Sequence, residues 1–467
     1  MERQTNRSFV TAGLLAALFI GALDSTVVTT ATTSIATDLQ GFGQISWIFS
    51  IYTLTTCVTT PIFGKLADLF GRKTVFIVGL GLFLAGSVLC GAAGSMSGLI
   101  WFRAIQGIGA GALTPVTFTI IGDLYKGEQR GKIQAVLSSV WSVAGLVGPF
   151  VGGYFVDAIS WRWIFFMNVP VSVLSFLLVV PYLHERFLRA NKRIDYGGAL
   201  AFTLSVSSLL FALLTGGNEY GWDSPLIAGL FIVFAAGLLL FIRIERRAPE
   251  PMLPLSLLQD RRLSIPYAMA FLGFGMVAGV TIYIPFWIQN VLGFSATTSG
   301  LMLMPMSLFW PVASNLSGRF MYRLGAKRFM TAGAVLVLIA AGWLLTLDAS
   351  DSYLQIIGAL SIFGLGMGSI TTPAIVMIQG AADHAHRGVA TSTNSLLGAL
   401  GQTVAAAFFG MLFNHVVRGQ SASGSAGTFA DGMHLIFIGI ACVSLVHLLI
   451  TTLLPSASSD GVQRQRL

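Results

Sequence analysis

Charge is what this chain has least of. Of its 467 residues only 10% are Asp, Glu, Lys or Arg, against 55% hydrophobic, where water-soluble domains carry about 25% charged residues. That balance excludes an ordinary soluble domain and points to a membrane protein. Carboxylates are scarcer still inside the apolar runs, and Asp24 alone lies near the middle of one. Cys57, Cys90 and Cys442 all fall within apolar runs, so buried free thiols are expected, not a disulfide framework or metal ligands. No GxxxxGK[ST] phosphate loop, zinc-ligand spacing or serine nucleophile elbow occurs. ATP-driven work and covalent catalysis are therefore unsupported, and the chain is not read as an enzyme.

Long apolar runs are what the chain has in abundance. They fall at about 9–34, 44–64, 74–95, 98–121, 133–157, 162–182, 197–214, 225–242, 264–288, 299–317, 329–347, 353–378, 388–414 and 432–454. At 1.5 Å rise per residue most can cross a bilayer, which gives an all-α integral membrane protein of fourteen transmembrane helices. The first run follows two arginines without a small-residue cleavage site, so it reads as a retained helix rather than a signal peptide.

The basic residues test this arrangement. All but three of the 27 Lys and Arg, the exceptions being Arg103, Arg162 and Arg418, fall in loops or tails on one side. The positive-inside rule makes that side cytoplasmic, with both termini there. A net charge of +8 distributed this way is a topology signal and not a nucleic-acid groove.

Two echoes reveal an internal repeat. GKLADLFGRK (64–73) after the second run matches GRFMYRLGAK (318–327) after the tenth, and GIGAGALTP (107–115) matches GLGMGSITTP (364–373). Helices one to six then correspond to nine to fourteen, with seven and eight inserted. The expected organisation is an N-terminal half (1–184), a basic linker with the inserted pair (185–260), a C-terminal half (261–455) and a tail (456–467). Two six-helix halves with a site at their midplane interface form a transporter architecture. The sequence leaves the role of the inserted pair open, a lipid-facing spacer unrelated to transport being one reading.

These motifs resemble the major facilitator superfamily, specifically its fourteen-helix drug/proton antiporter branch, over nearly the whole chain. The resemblance implies a major-facilitator-type fold and export of amphipathic, hydrophobic or monovalent-cationic compounds. GKLADLFGRK is similar to the superfamily's cytoplasmic loop motif, which implies a gating role for Gly64, Asp68, Gly71, Arg72 and Lys73. In the second copy Tyr322 replaces Asp68 and Ala326 replaces Arg72, so the charge cluster is expected in the N-terminal copy alone. AGLVGPFVGG (144–153) resembles the antiporter motif through Gly148, Pro149, Gly152 and Gly153.

RAIQGIGAG (103–111) is similar to the family's membrane-arginine motif. A buried arginine needs an acceptor, for which Asp24 or a backbone carbonyl of the first helix is the nearest candidate. Leu360 stands at the equivalent position of the second repeat. Asp24 lies in LDSTVVTTATTSIA, which looks like the branch's first-helix signature; Asp24 and Arg103 are the expected proton-coupling residues. Gln106, Tyr283, Phe286, Trp287, Gln289, Met302 and Met306 are candidate cargo contacts, since flat aromatics and pliable methionines suit varied apolar ligands. His447, deep in the last run, is read as structural, and RGQSASGSAGTFADG (418–432) as a flexible outer loop. The expected partners are small amphipathic molecules, protons and membrane lipids, with no nucleic acid, no cofactor beyond the coupling proton, a monomeric state and a place in the inner membrane. A lipid or lipid-linked translocase on the same fold is the alternative.

Overall fold

The computed structural model describes residues 5–40, 44–185, 195–217, 219–248, 251, 253–294, 296–348, 353–383, 386–419 and 426–455. They form sixteen α-helices. In the N-terminal part these are α1 (Arg7–Asp38), α2 (Ile45–Phe70), α3 (Arg72–Gly91), α4 (Met96–Leu124), α5 (Gly127–Ala158), α6 (Trp163–Phe166) and α7 (Asn168–Val179). Between come α8 (Tyr196–Thr215), α9 (Pro225–Glu245) and α10 (Ser256–Gln259). Then follow α11 (Arg261–Asn290), α12 (Ala296–Leu324), α13 (Ala326–Leu345), α14 (Tyr353–Ala381), α15 (Arg387–Gly419) and α16 (Ala426–Thr452).

Among the described residues, eleven helices are long and apolar enough to cross a membrane, and Trp163–Val179 is a shorter apolar helix. The expected runs at 44–64 and 299–317 do form helices, α2 and α12, but fall outside the eleven. Both carry polar side chains along their length, among them Thr55, Thr56, Thr59 and Thr60 on α2 and Ser314, Asn315 and Ser317 on α12. The expected outer loop is also shorter than 418–432: α15 continues to Gly419 and α16 begins at Ala426, with 420–425 outside the described residues. The basic linker residues Arg186, Arg189, Lys192 and Arg193 and the tail 456–467 also lie outside them.

Helix starts follow local chemistry. Asn6, Ser95, Asp195, Ser224 and Asp260 cap α1, α4, α8, α9 and α11 by accepting first-turn N–H groups, which have no partner within the helix. The two glycines of each loop motif do different work. Gly71 and Gly325 take φ of +92° and +91° between α2 and α3 and between α12 and α13, a turn that a Cβ would strain.

Helices α1–α7 pack among themselves, as do α11–α16. The two groups meet chiefly along two seams, α2 with α15 and α5 with α12, and α4 also touches α14 and α15 while α5 touches α14. At both seams the first glycine of the loop motif lets backbones touch. A Cβ on Gly64 would lie 2.9 Å from the Gly388 carbonyl oxygen, and one on Gly318 would lie 2.5 Å from that of Gly131. Interhelical approach this close needs glycine.

Helix α9 exposes Ile232, Leu239 and Leu240, but α8 packs on both α2 and α15, burying Phe202, Val206 and Leu210 with Cys57, Val58, Val389 and Leu396. Cys57 and Cys90 are buried as expected; Cys442 is exposed, because it shares an outward face of α16 with Leu445, Val446 and Leu449.

Candidate functional site

The first site forms inside the N-terminal group around Asp24, on α1. Its carboxylate Oδ2 accepts from Arg103 on α4 at 2.5 Å, and its Oδ1 accepts from the Gln106 amide at 2.8 Å and the Asn168 amide at 3.3 Å. Arg103 donates further to the Gln106 Oε1 at 2.8 Å and to the Ile48 carbonyl on α2 at 3.3 Å, and it lies 4.1 Å from the Tyr52 ring centroid. Its backbone-carbonyl acceptor is thus on the second helix and not the first. Asn168 also donates to the Ser87 hydroxyl at 2.9 Å, which itself donates to the Phe165 carbonyl. The Cys90 thiol sits 3.7 Å from the Gln106 Oε1.

Asp24, Arg103, Gln106, Asn168 and Ser87 are all essentially inaccessible to solvent. A buried ion pair persists only when its remaining donors and acceptors are met, and here the surrounding amides and carbonyls meet most of them. Every partner of Asp24 donates, so its carboxylate acts as acceptor only, the role of the ionised form.

The second site lies at the end bearing the basic loops. Asp68, near the end of α2, accepts from the Arg72 guanidinium at 2.8 Å and crosses the seam to accept the Gly388 and Val389 N–H groups at 3.1 and 3.0 Å. Those N–H groups belong to the first turn of α15, where a carboxylate is favoured by the unpaired donors and the helix dipole. Arg72 Nε is 3.1 Å from Asp123 at the end of α4, and Asp123 also pairs with Arg387 at the start of α15. Glu185 accepts the Arg72 and Lys73 N–H groups at 3.0 Å each and thereby caps α3. Gln134 on α5 donates to Gln379 on α14 at 2.9 Å, adding a neutral bond between the groups. Three carboxylates and two arginines thus form one network that holds α2, α3, α4 and α15 together.

At the opposite end of α1, Asp38 accepts from Arg162 at 2.6 Å and from the Trp161 indole at 3.0 Å. These bonds hold the Asp38 carboxyl below its ordinary pKa.

Gly148 packs against α1, where its Cβ would meet the Thr26 hydroxyl at 2.0 Å, whereas Gly153 has open space beside it. Pro149 and Gly152 lie on the same helix, α5. Of the candidate cargo contacts, Gln106 belongs to the Asp24 network. Trp287 is buried against Phe437 and His434 of α16, and Tyr283 meets Phe409 and Phe413 of α15. Met302 and Met306 are buried in the same C-terminal core. Phe286 stacks edge-on with Phe413, while Gln289 is exposed and donates to Ser299. The seven are therefore divided between two packed groups rather than gathered on one surface.

Asn168, Ser87, Asp123, Glu185 and Arg387 were missed from sequence. A signal for one of them was present: the Arg-Gly pair recurs at 130–131 and 387–388, at equivalent points of the two repeats.

The model of the major facilitator superfamily matches residues 14–194 and 186–406. The chain belongs to the major facilitator superfamily. Within that superfamily it is 36% identical over 450 residues to multidrug resistance protein 3 of Bacillus subtilis, covering 94% of this chain and 88% of that one. It is also 36% identical over 415 residues to the B. subtilis multidrug transporter protein MdtP, covering 88% and 76%. Two solved members of like fold are the human organic anion transporter MFSD10 and the proton:xylose symporter XylE. Their TM-scores are 0.67 and 0.68 at 15% and 14% identity, and they cover 96% and 98% of this chain and 100% and 98% of their own.

Proposed function

We propose that this multi-pass membrane protein is a multidrug exporter that exchanges amphipathic, hydrophobic or monovalent-cationic compounds for protons by alternating access. The observation that carries proton coupling is the Asp24–Arg103 pair, wholly buried and reached by donors from α4 and α7. An intramembrane carboxylate is costly and marks a functional path. The export reading rests on the multidrug relatives and on the drug/proton branch motifs.

In this reading the fourteen runs are fourteen spans, both termini and the basic loops are cytoplasmic, and the protein works as a monomer in the inner membrane. The Asp68–Arg72–Asp123–Arg387 network then closes the cytoplasmic end of the path. Opening toward the cytoplasm requires α15 to leave Asp68 and Asp123.

One coupling acid fixes the energetics. A pH unit supplies ~1.4 kcal/mol per proton and 100 mV supplies ~2.3 kcal/mol per charge. Exchange for a neutral molecule uses both terms; exchange for a monovalent cation moves no net charge and keeps only the first. Dications are expected to be poor cargo, and robust Asp24-dependent efflux of a bis-cationic dye contradicts this.

The test is pH-driven ethidium flux in liposomes, wild type beside Asp24→Asn. Wild-type flux with coupling lost in the variant supports the proposal. Equal coupled flux in both removes Asp24 from the role, and no flux in either directs attention to lipid cargo.

A further inference from the structure

Protonation changes what Asp24 needs from its neighbours. As a carboxylate it accepts; as a carboxylic acid it must also donate one O–H, and a buried donor left without an acceptor costs about 1–3 kcal/mol. The neighbouring groups that can accept are few. Arg103 and the Gln106 amide nitrogen only donate toward it, and the Gln106 Oε1 already receives Arg103.

Asn168 is different. Its amide nitrogen donates to both Asp24 and Ser87, while its Oδ1 is buried with no hydrogen-bond partner. A half-turn of the carboxamide exchanges the two atoms: the oxygen comes to the position 3.3 Å from Asp24 Oδ1 now held by nitrogen, and the NH2 takes the partnerless place of Oδ1, so an unmet carboxylic O–H is exchanged for weaker amide donors. Ser87, whose hydroxyl both accepts from Asn168 and donates to the Phe165 carbonyl, can serve either orientation, because a hydroxyl is donor and acceptor.

We propose that Asn168 is the positioning residue for the coupling proton: its carboxamide donates to ionised Asp24 and accepts the O–H of protonated Asp24. The proposal rests on Asp24 as the proton carrier. Arg103 keeps the Gln106 Oε1, the Ile48 carbonyl and the Tyr52 face when Asp24 is neutral, so protonation does not strand the guanidinium. The other titratable groups facing Asp24 are Tyr52 of α2 and Cys90 of α3. Neither is hydrogen-bonded to it.

The test compares Asn168→Leu and Asn168→Ser with wild type in liposomes, measuring ethidium/proton exchange across a pH series. Asn168→Leu removes the donor to the carboxylate and the acceptor for the O–H together, so the half-maximal pH is expected to move by less than about one unit, and Asn168→Ser, which keeps donor and acceptor, is expected to match wild type. A larger shift toward alkaline pH means Asn168 serves only the carboxylate, and a larger shift toward acid means it serves only the acid; either overturns the proposal. A second readout needs no transport. The infrared C=O band of protonated Asp24, assigned by its loss in Asp24→Asn, is expected at higher frequency in Asn168→Leu, and an unmoved band overturns the proposal as well. If Asp24→Asn itself keeps full proton coupling, the underlying reading fails instead, and the two failures are distinguished.

Discussion

The two seams between the helix groups are near copies in shape and unlike in charge. At one, Gly64 of α2 meets Gly388 of α15; at the other, Gly318 of α12 meets Gly131 of α5, each pair in backbone contact. Four residues beyond the first glycine stands Asp68 in one copy and Tyr322 in the other. Asp68 caps α15 across its seam, whereas Tyr322 packs a ring edge beside Gly131. The equivalent arginines diverge likewise: Arg387 pairs with Asp123, while Arg130 donates to the carbonyls of Gly122 and Tyr125. The repeated glycines bring both seams into backbone contact; the unrepeated carboxylates add charged bonds to one of them alone.

That contrast can be broken at several strengths. Gly388→Val is expected to do most, because a Cβ there would lie 2.6 Å from the Gly64 carbonyl. It should prevent closure and abolish ethidium transport, with electron-spin distances showing α2 and α15 held apart at the basic end. Asp68→Asn removes one partner of a buried charge network, which costs about 3–5 kcal/mol. The closed population should collapse in the same distance measurement, with transport reduced at least tenfold. Glu185→Gln weakens the α3 cap by about 1 kcal/mol, and a severalfold slower transport rate with intact folding is expected. Tyr322→Phe should stay within about 0.5 kcal/mol of wild type in thermal unfolding and leave transport unchanged. A large effect there would show that the second seam too depends on its side chains and not on its glycines alone.

Much of the fold was legible because bilayer burial writes itself into long apolar runs, and the repeat into paired glycines. The Asp24–Arg103 pair was legible for a related reason, since an ionised group inside such a run demands a partner. Asn168 and Ser87 carry no charge and hide among ordinary polar residues of a helix. Glu185 sits in a connecting segment, and the Asp123–Arg387 pair exists only when two distant helix ends are brought together. Trp287, Met302 and Met306 lie buried in the C-terminal core, a placement that helical spacing does not give, because spacing cannot distinguish a helix face turned to its own group from one turned to the other.

The seating of α8 also bears on how the chain is made. Its contact on α2 is present once the first seven helices have assembled, but Val389 and Leu396 of α15, which complete that apolar cluster, are synthesised nearly two hundred residues later. Domains assemble as units in the order of synthesis. The apolar cluster between α2, α8 and α15 is therefore complete only once helices from both groups are in place.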